Sequence, residues 1–202
     1  MTWIKQPSDK LLGDHVPEPR AGYVVMRIED PSDAQQIRGL LEVSFPGFEE
    51  AILVDKLRSD GDIVLSLVAE DPGVVIGYVA FSRLTVEDGE TPFRAVALAP
   101  LAVYPEYQQQ GIATRLVQEG HACLAAIGET LSVVVGEPHF YGRFGYSNRR
   151  VANFASEYQS PYLMALSFGS APLEGRLVYA AAFAALGENA QVDAPLQTDD
   201  RV

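Results

Sequence analysis

The apolar positions of this chain change period several times, and each change marks an element. "GYVVMRIE" (22–29) is dense in β-branched and apolar residues and reads as a strand. Over "DPSDAQQIRGLLEVSF" (30–45) the spacing becomes helical. Ile37, Leu40, Leu41 and Ser44 share one face, with Asp30 at the N-cap and Pro31 at the first helical position. "PGFEEAILVDKLRSDG" (46–61) reads as a second helix closed by turn residues. "DIVLSLVAED" (62–71) and "VVIGYVAFSRLTVED" (74–88) are β-rich runs around "DPG", a hairpin signal. "FRAVALAPLAVYP" (93–105) is another strand, interrupted at Pro100. Helical spacing returns in "GIATRLVQEGHACLAAIG" (111–128). "TLSVVVGEP" (130–138) is a strand, "HFYGRFGY" (139–146) a short turn or helix, and "LVYAAAF" (177–183) a late strand or helix.

The resulting order, β–α–α–β–β–β–α–β–α–β, predicts an α/β (α+β) fold: one domain with a mixed sheet and helices on its faces. Pro7, Pro17 and Pro19 break residues 1–20 into an arm, the domain runs over 21–187, and 188–202 form an acidic tail. A length of 202 residues suits a single sizeable core. An apolar content of 48% and a charged content of 21% argue against global disorder. The net charge of −12 and the lack of any basic run longer than "NRR" (148–150) speak against duplex nucleic acid and anionic membranes. An acidic surface mildly favours cationic partners such as amines. Cys123 stands alone, which rules out an intramolecular disulfide and a multi-cysteine zinc site, and its helical position suggests a buried structural thiol. His15 and His121 lack partners at metal-ligand spacing, so no metal site is expected. "LVYAAAFAAL" (177–186) is too short to span a bilayer, and the first residues carry no signal-type run; a cytoplasmic location is the expectation.

The chemistry concentrates in "EYQQQGIATRL" (106–116). The first amides of a helix have no intrahelical acceptor and, with the macrodipole, favour an anion. Gly111 removes a side chain from the path of a phosphate, Ala113 keeps the next turn slim, and Thr114 adds a hydroxyl. Gln108, Gln109 and Gln110 bring polar groups without negative charge. There is no G-x-x-x-x-G-K-[ST] and no G-x-G-x-x-G after a strand, which argues against nucleoside-triphosphate and Rossmann sites. Upstream, Pro100 cannot donate to a ladder, so strand pairing should weaken there and leave the backbone of Leu101, Ala102 and Val103 free for an extended, amide-bearing ligand. A splayed strand, a phosphate-binding helix start and a tyrosine beyond the next strand suit coenzyme A.

On these residues the chain resembles the GNAT acyl-CoA-dependent N-acetyltransferases. "QQQGIA" (108–113) matches the [QR]-x-x-G-x-[GA] signature and "YGRFGY" (141–146) the Y-x-x-x-G-[FY] element. "APLAVYPEYQQQGIATRLV" with "GEPHFYGRFGY", and the tail "YLMALSFGSAPLEGRLVYAAAF", are most similar to the bacterial YhbS-like branch. The likeness covers roughly residues 22–186. It implies a GNAT-like, mostly antiparallel sheet splayed at its centre. Acetyl-CoA is the implied co-substrate, held by Leu101–Val103, Gln108–Gly111 and Ile112–Thr114. Two residues depart from the pattern. Members usually carry glycine where Gln109 stands, and branch members often carry histidine where Glu137 stands.

The resemblance further implies direct attack by an amine on the thioester in a ternary complex. A lysine-type amine has a pKa of about 10.4, so its neutral form costs about 4–5 kcal/mol near pH 7. Something must take that proton. Tyr141, protonated at neutral pH, is the candidate acid for the leaving thiolate, and the N–H of Val103 or its neighbour a candidate oxyanion donor. Many members place a glutamate on the strand that reads "FRAVALAPLAVY" here, which has no carboxylate. Glu70, Glu87, Glu137 and His139 are candidates for the base. The acceptor, a small amine or a protein amino group, stays open, as do other acyl donors, a non-catalytic acyl-CoA sensor, and the homodimer frequent among members.

Overall fold

The computed structural model describes residues 24–89 and 91–184. The arm at 1–20 and the tail at 188–202 lie outside the described residues.

A long hairpin organises the sheet. β2 (Ile63–Asp71) and β3 (Val74–Glu87) pair antiparallel around the turn at Pro72 and Gly73. β1 (Val25–Ile28) lies antiparallel on the far side of β2, and β4 (Phe93–Val103) antiparallel on the far side of β3. β5 (Leu131–Val135) then runs parallel to β4, so a helical crossover joins them, as parallel neighbours require. β7 (Leu163–Ser167) closes the order β1-β2-β3-β4-β5-β7. At the far end of β3, Leu84–Glu87 pair with β8 (Glu174–Tyr179), and β6 (Asn153–Ala155) lies parallel to β8. The mixed, mostly antiparallel sheet expected from the sequence is therefore present.

Its periphery is fuller than expected. β6 and β7 were not anticipated, because "NFA" and "LMALS" are too short to show a period of their own. The late segment is both alternatives in turn: β8, then a 3-10 turn at Ala181–Phe183. Asp30 does cap a helical start, with a reciprocal Asp33 capping box, but that start is a 3-10 turn at Pro31–Asp33. The α-helix α1 (Ala34–Ser44) follows it.

Helices cover both faces. α1 and α2 (Glu49–Asp60) bury Ile37, Leu40, Leu41, Leu53, Val54 and Leu57 on one face. α3 (Ile112–Ala126) buries Ile112, Leu116, Val117 and Leu124 on the other, against Leu67, Ile76 and Phe81. Each such side chain contributes about 1.5–3 kcal/mol, which holds the start of α3 firmly over the sheet. Cys123 is a half-buried free thiol packed at the edge of this core.

The centre of the sheet opens. β4 pairs with β5 only over Val96–Leu98, opposite Ser132–Val134. Beyond that, Leu101–Val103 stay with β3, opposite Val79–Gly77, while Val135 stays with β7, opposite Leu163. A register shift between Val79 and Phe81 marks the place where β4 bends away. Pro100 lies at that bend with no N–H to bond across the gap.

Candidate active site

The gap between β4 and β5 presents backbone on one wall. Antiparallel pairing sends successive residues' polar groups to alternate sides. Tyr104 N donates to Ile76 O at 3.0 Å, and two residues back Ala102 stands opposite Tyr78. The backbone of Ala102 is thus turned toward β3, while Leu101 and Val103 turn theirs into the gap. The Val103 carbonyl is taken by Gln108, whose Nε2 donates to it at 3.0 Å. That leaves the Val103 N–H and the Leu101 backbone facing the opening.

The same glutamine ties the next piece of the site in place. After a 3-10 turn at Pro105–Tyr107, Gln108 clips the loop to the end of β4, and Gln110 Nε2 donates to Glu106 O at 3.1 Å. These two amides brace the loop. Gln109 sits at φ +61°, where an L side chain costs roughly 1–2 kcal/mol. Gly111 follows at φ +79° as the N-cap of α3. It has no side chain to cap with, so the amides of Ile112, Ala113 and Thr114 keep no side-chain acceptor. A Cβ built at Gly111 would meet no protein atom within 4 Å. The approach to these amides is open, and glycine serves both the backbone conformation and the access.

Tyr141 forms the floor on the opposite side. α4 (Pro138–Tyr141) starts at Glu137, whose carboxylate accepts from His139 N at 3.5 Å, and its single turn delivers the Tyr141 ring beneath the end of β5. The ring is held edge-on between Phe140 (5.0 Å between centroids) and Tyr146 (5.8 Å). It is 3% exposed and lines the cavity at the strand gap with Leu98, Ala99, Pro100, Val134 and Val135. Burial pushes its phenol well above the ordinary tyrosine value, so it is protonated at neutral pH. Gly136 makes this position possible: a Cβ there would lie 2.8 Å from Tyr141 Cδ2 and closer still to Cε2. Sequence reasoning passed over Gly136; its signal was a glycine at the end of an otherwise β-branched strand.

Behind Tyr141 runs a polar chain that the sequence also did not reveal. Ser132 Oγ and the Tyr146 hydroxyl are 2.7 Å apart, and His121 Nε2 is 3.1 Å from the same hydroxyl. His121 packs among Phe81, Phe144 and Phe168, and burial lowers its pKa to about 4.

Comparison with known proteins fits this geometry. Residues 26–149 match the family described as "Acetyltransferase (GNAT) domain". The chain belongs to the GNAT acetyltransferases. It is 45% identical over 124 residues to the N-acetyltransferase YhbS of Escherichia coli K12, covering 61% of this chain and 73% of that protein. It is 35% identical over 127 residues to YjhQ of the same organism, covering 61% and 70% respectively. Among solved structures, it superposes on E. coli YhbS in complex with CoA with a TM-score of 0.75 and 37% identity, over 84% of this chain and 96% of that one. A GNAT acetyltransferase from Brucella melitensis in complex with acetyl-CoA gives 0.66 and 32%, over 80% and 98%.

Within this GNAT frame, the candidate bases fall away from the gap. Glu70 is engaged by Arg27 Nε at 2.6 Å and Gly73 N at 3.3 Å. Glu87 pairs with Arg176 at 2.6 Å. Glu137 caps α4, and His139 is exposed. None of the four lines the cavity, and among the described residues no carboxylate or imidazole does. No cluster of metal-ligating side chains occurs among the described residues, and no described helix is long and apolar enough to cross a membrane.

Proposed function

We propose that this GNAT protein transfers an acetyl group from acetyl-CoA to a primary amine, by direct attack within a ternary complex. The observation that carries this reading is the gap itself. Its β4 side carries the inward-facing backbone of Leu101 and Val103, the Tyr141 ring lines the cavity there, and the open amides of Ile112–Thr114 begin the helix that follows β4. The pyrophosphate of the coenzyme would lie on the α3 amides, cradled by the 108–111 loop. The pantetheine amides would pair with the freed edge of β4 in the manner of an added strand. The neighbours solved with CoA or acetyl-CoA support this assignment.

In the reaction, the amine nitrogen attacks the thioester carbonyl carbon. The Val103 N–H, which faces the gap, would donate to the developing oxyanion. The C–S bond then breaks, the leaving thiolate takes the Tyr141 proton, the nitrogen gives up its own proton to water, and water returns a proton to the Tyr141 phenolate. Tyr141 suits that role because burial keeps it protonated and aromatic neighbours fix its ring.

The test is thiol release from acetyl-CoA in the presence of a panel of primary amines. Amine-dependent release is expected. Tight coenzyme binding without release on any amine would favour the sensor reading instead.

A further inference from the structure

The cavity at the strand gap continues through the sheet to the face opposite α3, where its wall is aromatic. Tyr158 and Tyr179 meet edge to face with centroids 4.8 Å apart, and Phe183 packs against both, at 6.4 Å and 5.5 Å. Phe45, at the end of α1, lines the same cavity, and Ala97 and Val133 complete its apolar lining. The Tyr158 hydroxyl is turned away to the Phe183 carbonyl at 3.3 Å. The rings pack on one another as a continuous wall rather than standing apart as a cage around a cation. Glu157, whose charge both tyrosines feel, is exposed and outside the lining.

Two consequences follow for an acceptor in this space. An ammonium entering it would lose its hydration against a lining that carries no charged side chain. Nor would it meet a base. A lysine-type amine, with a pKa of about 10.4, has only roughly one molecule in 2,500 neutral near pH 7. An amine attached directly to an aromatic ring is almost wholly neutral at that pH, and its flat apolar body matches the wall. On the acetyltransferase reading above, we propose that the acceptor is an arylamine, bound as the neutral base with its ring against Phe45, Tyr158, Tyr179 and Phe183. The aryl nitrogen forms the new C–N bond as the C–S bond breaks. The thiolate takes the Tyr141 proton and the nitrogen releases its own to water, giving the N-aryl acetamide and free coenzyme A.

The test compares 4-methylaniline, 4-methylbenzylamine and spermidine as acceptors in the thiol-release assay. The first two share a ring and differ in basicity. The expected result is a kcat/KM for 4-methylaniline at least about tenfold above that for 4-methylbenzylamine near pH 7, within the range that pocket contacts can discriminate. It should be flat toward higher pH, while the benzylamine rises with its neutral fraction. Tyr158→Ala and Phe45→Ala, on separate elements, should each raise KM for 4-methylaniline about tenfold while coenzyme affinity, measured by calorimetry, stays unchanged. Preference for spermidine or 4-methylbenzylamine would overturn the arylamine proposal and leave the transferase reading standing. No release from any acceptor would overturn the transferase reading. Calorimetric titration of 4-methylaniline into the coenzyme complex then decides the pocket: binding weakened by Tyr158→Ala supports the aromatic preference, and no binding overturns it.

Discussion

Tyr141 owes its position to its immediate neighbours. Phe140 and Tyr146 set the plane of its ring, and Gly136 leaves the space the ring fills. Gly136→Ala adds one methyl group that must push the ring aside. Displacing a reacting group by about 1 Å can cost about a hundredfold in rate. The expected outcome is a kcat lowered by about that factor, with coenzyme affinity by calorimetry nearly unchanged because the α3 amides lie elsewhere. His121 makes a separate prediction. Its folded pKa of about 4 lies below its ordinary value of 6.5. Between those values the unfolded chain binds the extra proton, so stability falls as pH drops through that window and is fully present above it. Thermal melts from neutral to acid pH should show a steeper loss in the parent chain than in His121→Asn. Equal slopes would remove His121 as the buried group responsible.

At the scale of the elements, the proposed function rests on the start of α3 and the parting of β4 from β5. Gly111 combines a left-handed backbone with an uncapped helix end, and two substitutions separate these roles. Asparagine tolerates positive φ and caps helices well, so Gly111→Asn should leave the melting temperature unchanged or raised. Its introduced amide oxygen would accept from the α3 N–H groups and stand where the proposed pyrophosphate site lies, weakening coenzyme binding at least about tenfold, or about 1.4 kcal/mol. Gly111→Val should lower both affinity and stability, since a β-branched residue fits positive φ poorly. Calorimetry and thermal melts on the two variants check this.

Much of this level was legible in the sequence. Pro100 announced the loss of pairing, and "QQQGIA" announced the helix start. The roles of the glutamines were not legible, because only the fold brings Gln108 to the Val103 carbonyl and puts Gln109 at positive φ. β7 was missed for a similar reason: "LMALS" becomes a strand through its partners, β5 and the Ser147–Ala165 bridge, rather than through its own pattern.

For the whole molecule, the sheet is a partition with a hole in it. α3 lies on one side and the aromatic wall of Tyr158, Tyr179 and Phe183 on the other, and on the proposed function the two substrates would meet where the strands part. The net charge of −12 adds no attraction for an anionic coenzyme, so on the proposed function its capture would rest on local amides rather than on the overall field. The site's missing base follows from the same layout. Of the carboxylates that the sequence offered, Glu70 and Glu87 are committed to ion pairs and Glu137 to a helix cap, and a linear reading has no means of separating such a glutamate from one that faces the gap. The central proposal is that this gap is a reaction centre with Tyr141 as its acid. The most direct measurement is amine-dependent thiol release from acetyl-CoA by Tyr141→Phe and the parent chain, with coenzyme affinity measured on both. The expected result is a kcat lower by about 10²–10⁴ in Tyr141→Phe at nearly unchanged affinity. Equal turnover by the two proteins would contradict it.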